Sequence, residues 1–283
     1  MGDVDKVGNL MITAMPSAKT CAEAWLRAAT HLVDNGDEAY NLVVDIDDAR
    51  THTQHDRLII KGVDDFLRLK RANPISTVIN TIFPQHLYLQ HGDGAFVKEY
   101  LRGYNSLKNK GWGRYFQRMV RWPAEGGGTT DQLHELVRRL AQQHSAARTF
   151  RNVFELTRYD PARDRNRNRN RQCLSFLSFK LHPQRGLTLT AMYRNHDYIA
   201  RALGNFIALG HLMAYIAKRV GTNVGPLTCV STHAEIDTAS AQPDPDGSGE
   251  ACLGWRLTEA RHLVRSMQAL APSKRTKPKG VAQ

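Results

Sequence analysis

Two short strands, a long apolar helix and a closing polar run, all within residues 172–237, constrain this chain more than any other stretch. Leu174, Phe176 and Ser178 alternate with Ser175, Leu177 and Phe179. Leu187, Leu189, Ala191 and Tyr193 alternate with Thr188, Thr190 and Met192. A period of two predicts strands, and His182 to Gly186 supply the turn between them. Cys173 therefore stands at the start of a strand. Asp197 can cap a helix whose apolar positions (Ile199, Leu203, Phe206, Ile207, Leu212, Met213, Ile216) recur at three and four residue steps and stop near Lys218 and Arg219 before Gly221. Asn205 falls in the first turns of that helix or the loop before it. Ser231, Thr232, His233, Ala234 and Glu235 close the stretch.

With 283 residues and 41% hydrophobic side chains, one core is expected, in a single domain over 1–270 with a disordered basic tail over 271–283. The longest candidate helix carries Arg201, Asn205, His211 and Lys218, which are costly in lipid, so no membrane span is expected. The first thirty residues lack the basic start and apolar block of a signal peptide, and a cytoplasmic location is expected. Cys21, Cys173, Cys229 and Cys252 form no C-x-x-C pair, which argues against a zinc site and a disulfide framework; no metal is expected. A net charge of +12 ordinarily suggests a nucleic-acid partner. Here the arginines at 163, 165, 167, 169 and 171, less Asp164, together with Lys274, Arg275, Lys277 and Lys279, supply eight of those twelve charges. The remainder is only mildly basic, and nucleic acid is not the expected partner. Like charges at every second residue repel, so 163–171 reads as a mobile basic loop.

Residues 1–18 carry no period and read as a loosely held start. Helices are expected over Thr20 to Leu32, Leu58 to Lys70, Asp131 to Gln143 and Leu257 to Leu270, and a strand over Leu42 to Ile46. The segment from Pro74 to Pro84 lies between two of these helices. Tyr100, Tyr104, Trp112, Tyr115, Phe116 and Trp122 make a dense aromatic region that suits either a ligand pocket or a plain core. Asp244, Asp246, Ser248 and Gly249 look like the opening of a calcium loop. The twelfth position is Trp255, where a bidentate Glu is needed.

The order Cys173, then Arg194, Asn195, His196 and Asp197, then Asn205 eight residues beyond that Asp, then Thr232, His233, Ala234 and Glu235 resembles the thymidylate synthase family. Upstream, Gly113, Arg114 and Tyr115 can stand for the family's Gly-x-x-Tyr segment. The likeness is good from about Gly111 to Asp237 and weak before it, and is nearest to the divergent branch of pyrimidine nucleotide C5 hydroxymethylases. It implies an α+β fold with a mixed sheet packed against helices and a homodimer formed through the sheet. It also implies a pyrimidine nucleoside monophosphate as substrate and 5,10-methylenetetrahydrofolate as cofactor. By the same resemblance Cys173, Asn205 and Tyr115 are catalytic. Arg194, Asn195, His233 and Glu235 bind the nucleotide, and Asp197 meets the folate pterin or simply caps its helix. Arg148 and Arg151 stand near the family's arginine pair that reaches the partner's phosphate, with ordinary surface charge as the alternative. Arg50 lies in a faint likeness of the phosphate loop without its glycines, and a solvated loop arginine is the other reading. Where the family carries a glutamate acting through water, this chain offers Asn80 or Thr81.

The chemistry has a physical basis of its own. Pyrimidine C5 becomes nucleophilic only after something adds at C6, and a thiolate suits that reversible addition. Arg169 and Arg171 precede Cys173, and nearby cations lower a thiol's pKa; a small buried hydrophobe is the plain alternative. An amide such as that of Asn205 can donate to a uracil O4 while accepting from N3–H. Folate-dependent one-carbon transfer to C5, giving hydroxymethyl or methyl, is therefore the expected function. The rival is a catalytically inactive protein of the same fold that binds nucleotide or nucleic acid.

Overall fold

Side-chain oxygens decide where several helices begin. In a computed structural model that describes residues 12–107, 115–146, 150, 152–165, 172–242 and 251–270, Thr20 accepts from the Glu23 amide and starts α1 (Cys21–Asp34). Thr53 and Asp56 form a reciprocal capping box at the start of α2 (Gln54–Leu69). α3 (Ile75–Ile82) and α4 (Gln85–Ser106) follow, the latter broken at Gly92, whose φ of 66° is left-handed. Next come α5 (Tyr115–Val120), the small hairpin of β3 (Trp122–Pro123) and β4 (Thr129–Thr130), and α6 (Gln132–His144), which Asp131 caps. A four-residue helix, α7 (Pro161–Asp164), and the last helix, α9 (Leu257–Ala269), complete the set around the central α8 (Leu203–Val220).

The remaining strands are β1 (Thr13–Ala14), β2 (Glu38–Ile46), β5 (Glu155–Thr157), β6 (Leu174–His182), β7 (Gly186–Tyr193), β8 (His196–Asp197) and β9 (Val224–Glu235). They form one seven-stranded sheet in the order β1-β2-β9-β7-β6-β5, with β8 beside β9. The pairs β1–β2, β7–β9 and β8–β9 run parallel, and the rest antiparallel. The architecture is thus α+β with a mixed sheet against helices, as expected. The sheet reaches further than the sequence pattern suggests. Thr13 and Ala14, within the supposed loose start, pair with Leu42 and Val43, and β2 begins at Glu38 rather than Leu42.

α8 joins β7 to β9 and packs on both strands and on α1, α3 and α6. Its composition alone would suit a membrane, but fourteen of its eighteen residues are buried inside the protein, which makes it the core helix. Close approach explains one of its glycines: a Cβ at Gly210 would stand 2.2 Å from the Ala49 carbonyl oxygen. The row Leu177, Ala191, Cys229 and Val44 crosses the covered face of the sheet, and all four are buried. One residue along, Phe176, Met192, Val230 and Val43 cross the opposite face, where Met192 is 39% exposed. Of the aromatic region, Phe116 joins a core cluster with Phe83, Tyr88, Phe96 and Tyr215, whose ring centroids lie between 5.3 and 5.9 Å apart, whereas Tyr100 and Tyr104 line a cavity.

The Arg-Asn repeat is not uniform. Arg163 and Asp164 belong to α7, and residues 166–171, 243–250 and 271–283 lie outside the described residues. Asp164 is the buried partner of Arg118, bonded through both oxygens at 2.6 and 2.9 Å, with side chains 2% and 1% exposed. The expectation of a mobile basic loop over 163–171 fails at Asp164 because a desolvated guanidinium requires its counter-ion. Asp164→Ala should destabilise the protein by about 3–5 kcal/mol in urea unfolding, since it strands Arg118. Arg163→Ala, on the exposed side of the same turn, should stay within about 0.5 kcal/mol of the parent.

Candidate active site

The parallel strands β7 and β9 come into register at Tyr193 and Ser231, and the chain leaving β7 pairs again with β9 through β8. Crevices beyond the carboxyl ends of parallel strands are where sheets gather ligands. Cys173 lies one residue before β6, whose Leu174 pairs with Tyr193 before a bulge shifts the register. Its carbonyl accepts from the Arg194 amide at 3.0 Å. The Cys173 and Leu174 amides donate to the Tyr115 phenol oxygen at 3.1 and 3.3 Å, so Tyr115 pins the backbone under the thiol. Burial pushes the Tyr115 phenol up to about 12, and its proton remains available as a donor.

The cationic activation expected of Cys173 rests on Arg169 and Arg171. Burial, followed by the Asp197 carboxylate, pushes the Cys173 pKa up, and Arg194 and Arg201 oppose this without prevailing. Arg169 and Arg171 lie outside the described residues. Arg194 is tied back by its Nε, which donates to the Gln172 carbonyl at 3.2 Å. Behind it, buried Arg158 donates to the Tyr115 carbonyl and, at 3.3 Å, to Gln172 Oε1; burial draws its pKa down to about 9.

The helix after Asp197 does not begin as expected. Tyr198–Ala202 is a π-helical turn, and Asp197 holds the N-cap position without a side-chain cap bond. Asp237 caps instead: its Oδ1 accepts from the Ile199 and Ala200 amides at 2.7 and 3.3 Å. Burial, then the neighbouring Asp197, pushes Asp237 up to about 7. Burial raises Asp197 as well, with Arg201 opposing and Glu235 adding to the shift. The π-turn carries Arg201, which has no hydrogen-bond partner among the described residues and acts electrostatically on Cys173, Asp197 and Tyr115.

Asn195 ties the polar residues together. Its Nδ2 donates to Asp197 Oδ1 and Glu235 Oε1, each at 3.0 Å, and its Oδ1 meets His233 Nδ1 at 2.5 Å. His233 Nε2 lies 3.3 Å from Glu38 Oε2, a residue that the antiparallel pairing of Glu38 with Glu235 delivers. Asn205, in the first turn of α8, is buried one helical turn beyond Arg201, and its Nδ2 lies 3.1 Å from His196 Nε2.

The structure thus groups Cys173, Tyr115, Arg194, Asn195, Asp197, His233 and Glu235, with Asn205 on the adjoining helix. It adds Arg201, Asp237, Glu38 and Ser231, which the sequence reading did not single out. Arg201 had a signal, its spacing of four residues from both Asp197 and Asn205; Glu38 and Asp237 depend on strand pairing and had none. Arg50 sits on an exposed loop bonded to Asp48 at 3.3 Å. Arg148 and Arg151 lie outside the described residues. A cavity of about 820 Å³ runs along α4, lined by Asn80, His86, Glu99, and the stacked rings of Tyr100 and Tyr104. Cys173 does not line it, although Phe116, edge-on to Tyr100 at 4.7 Å, connects the cavity wall to Tyr115 in sequence. Thr81 turns back to the Val78 carbonyl at 2.6 Å, and Asn80 bonds His86 at 3.0 Å, so Asn80 is the one of the two that reaches this cavity.

No protein-family model matches the chain. Three curated proteins, each named "Putative thymidylate synthase", are similar to it. The match to the one from Methanothermobacter thermautotrophicus is 27% identical over 61% of this chain and 70% of that protein. The match to the one from Methanosarcina barkeri is 30% identical over 43% of this chain, and spans about half (51%) of that protein. The one from Methanosarcina mazei matches at 28% over the same shares. The similarity is to a thymidylate synthase-like family, at a divergent distance.

Two outcomes follow from the electrostatics. Alkylation of Cys173 by iodoacetamide, followed by peptide mass spectrometry, should show an apparent pKa above that of an ordinary thiol. Asp197→Asn should lower it and Arg201→Gln raise it. For Asp237 the folded pKa exceeds the unfolded one, so its contribution is present below about 4 and is lost as pH rises through about 7. Asp237→Asn keeps an acceptor for the cap. Relative to the parent, its urea-unfolding stability should therefore improve between pH 4 and 7 by about 1.4 kcal/mol per pH unit at most.

Proposed function

We propose that this protein transfers a one-carbon unit to C5 of a pyrimidine nucleoside monophosphate through a covalent Cys173 adduct at C6. The observation that carries the reading is the Cys173 thiol held beside Arg194 and Arg201, with the Asn205 amide one helical turn further on. Arg194 and Arg201 offer two guanidinium forks to a phosphate. Cys173 loses its proton and forms a bond from Sγ to C6, which pushes the electrons of the C5–C6 double bond toward the oxygen or nitrogen at C4. Asn205 and the Tyr115 region stabilise that charge, and C5 becomes the nucleophile. After C5 has reacted and lost its proton, Sγ leaves and the ring double bond returns.

The aromatic cavity along α4, with Tyr100 stacked on Tyr104, fits a planar heteroaromatic cofactor, and Asp197 is the carboxyl group that the resemblance assigns to it. When bound, 5,10-methylenetetrahydrofolate supplies the one-carbon unit, with water completing a hydroxymethyl or the folate's own hydride completing a methyl. Hydroxymethylation is the favoured outcome, because Asn80 or Thr81 replaces the family's glutamate and Glu235 replaces its tyrosine. The half-exposed row of Phe176, Met192, Val230 and Val43 supports a homodimer through the sheet, and we place the protein in the cytoplasm.

Mass spectrometry of nucleotides incubated with and without methylenetetrahydrofolate should reveal a product heavier by a hydroxymethyl or methyl group. Cys173→Ala should abolish that product and tritium release from C5 while leaving nucleotide binding within a few fold; substantial turnover in the variant rules the covalent route out. Glu235 has one oxygen on Asn195 and another to offer a sugar. A ribose presents two vicinal hydroxyls to such a carboxylate, and a lost charge-assisted bond is worth roughly 1.5–3 kcal/mol. UMP or CMP should therefore exceed its deoxy counterpart by about tenfold or more in kcat/KM, and Glu235→Tyr should erode that preference. Equal constants for both sugars in parent and variant would show Glu235 to be an ordinary surface carboxylate.

A further inference from the structure

His196 is the one member of the polar segment after β7 that turns inward. It is 1% exposed, stacked on Tyr193 at 4.0 Å with the rings 5° from parallel, and flanked edge-on by Tyr198 and Phe206 at 5.4 and 5.6 Å. Three aromatic walls fix the plane of the imidazole. Its Nδ1 meets Ser231 Oγ at 2.9 Å and its Nε2 meets Asn205 Nδ2 at 3.1 Å. Burial draws its pKa down to about 3, so the ring is neutral and carries one hydrogen.

A neutral imidazole between these two partners has an ordered hydrogen-bonding pattern. Asn205 Nδ2 can only donate, so Nε2 is the bare nitrogen and Nδ1–H donates to Ser231. The reverse pattern would require the Asn205 amide to be turned over and the Ser231 hydroxyl to donate to Nδ1. The Asn205 nitrogen facing Nε2 at 3.1 Å selects the first pattern. The amide nitrogen spends one hydrogen on His196 and keeps the other. Among the described residues the Asn205 Oδ1 is not engaged, so the amide presents one donor and one acceptor side by side.

That ordered pair bears on the choice of base. The edge formed by positions 3 and 4 of uracil is a donor at N3 and an acceptor at O4; in cytosine it is an acceptor at N3 and a donor at N4. Turning an amide over exchanges the base it matches. A free asparagine accommodates both, whereas a locked one reads only one.

We propose that His196 is a specificity-determining positioning residue that, with Ser231, locks the Asn205 amide in one orientation and so makes the site choose between uracil and cytosine nucleotides. The inference rests on the functional reading above, and it goes further by assigning base choice to a residue that does not touch the base. Mismatching both bonds of such a pair costs discrimination of about tenfold or more.

The test compares UMP and CMP binding to the full-length protein by titration calorimetry. The parent should bind one of them at least about tenfold more tightly. His196→Leu should bring the two affinities to within about twofold, mainly by admitting the disfavoured base. Ser231→Ala, a small truncation that keeps the ring but frees its tautomer, should move the ratio in the same direction and serves if the histidine variant does not fold. A merely structural role would weaken both nucleotides equally and leave the ratio where it was. A parent without discrimination, or an unchanged ratio in the folded variants, overturns the proposal. Absence of binding by either nucleotide to the parent defeats instead the functional reading, and this inference with it.

Discussion

The parallel pairing of β9 with both β7 and β8 is the constraint on which the rest of the structure depends. It sets Tyr193 against Ser231 and, after a short excursion, Asp197 against Glu235. Two polar segments forty residues apart thereby face each other across hydrogen-bonding distance. The excursion is affordable because Asp237, just past the end of β9, accepts from the amides that the π-turn leaves open. α8 then has one direction in which to run, over the covered face of the sheet. Antiparallel partners complete the group: β6 brings Cys173 beside Arg194, and β2 brings Glu38 beside His233.

Burial dominates charge throughout this group. The Cys173 thiol and the Asp197 and Asp237 carboxyls all hold their protons more tightly than they would in water, and desolvation is the leading cause for each. The arginines act in the opposite sense and lose. Arg194 and Arg201 are also the groups that an entering anion would meet.

How far the sequence discloses this depends on whether the contact is local. The strands over 174–179 and 187–193, the helices that begin near Thr20 and Asp131, and the stop at Gly221 follow from period and from side-chain chemistry within a few residues. The cysteine, the arginine and the two asparagines were likewise visible from their spacing. What sequence alone could not disclose is non-local. Asp164 looks like a link in a charged repeat until Arg118, forty-six residues earlier, is found buried against it. Asp197 looks like the cap because it stands in the right place, and Asp237 takes the role because a strand ending nearby is closer to the open amides. The thiol's burial and its charged neighbours Asp197, Arg201 and Glu235 likewise come from residues distant in sequence.

The polar segment after β7 shows how one short run can serve two purposes. Arg194 and Asn195 stay half-exposed, with Arg194 beside the thiol and Asn195 bridging Asp197, Glu235 and His233. His196 turns the other way, into the protein, because β8 adopts the alternation of a strand for two residues. That alternation is why adjacent residues reach opposite sides. The side chain sent inward then needs polar partners to offset its burial, and finds them in Ser231 and Asn205. The hydrogen-bond requirement of a buried imidazole and the orientation of an amide at the site's edge are therefore one constraint. Relaxing the first, by any side chain that asks for no partner, necessarily releases the second.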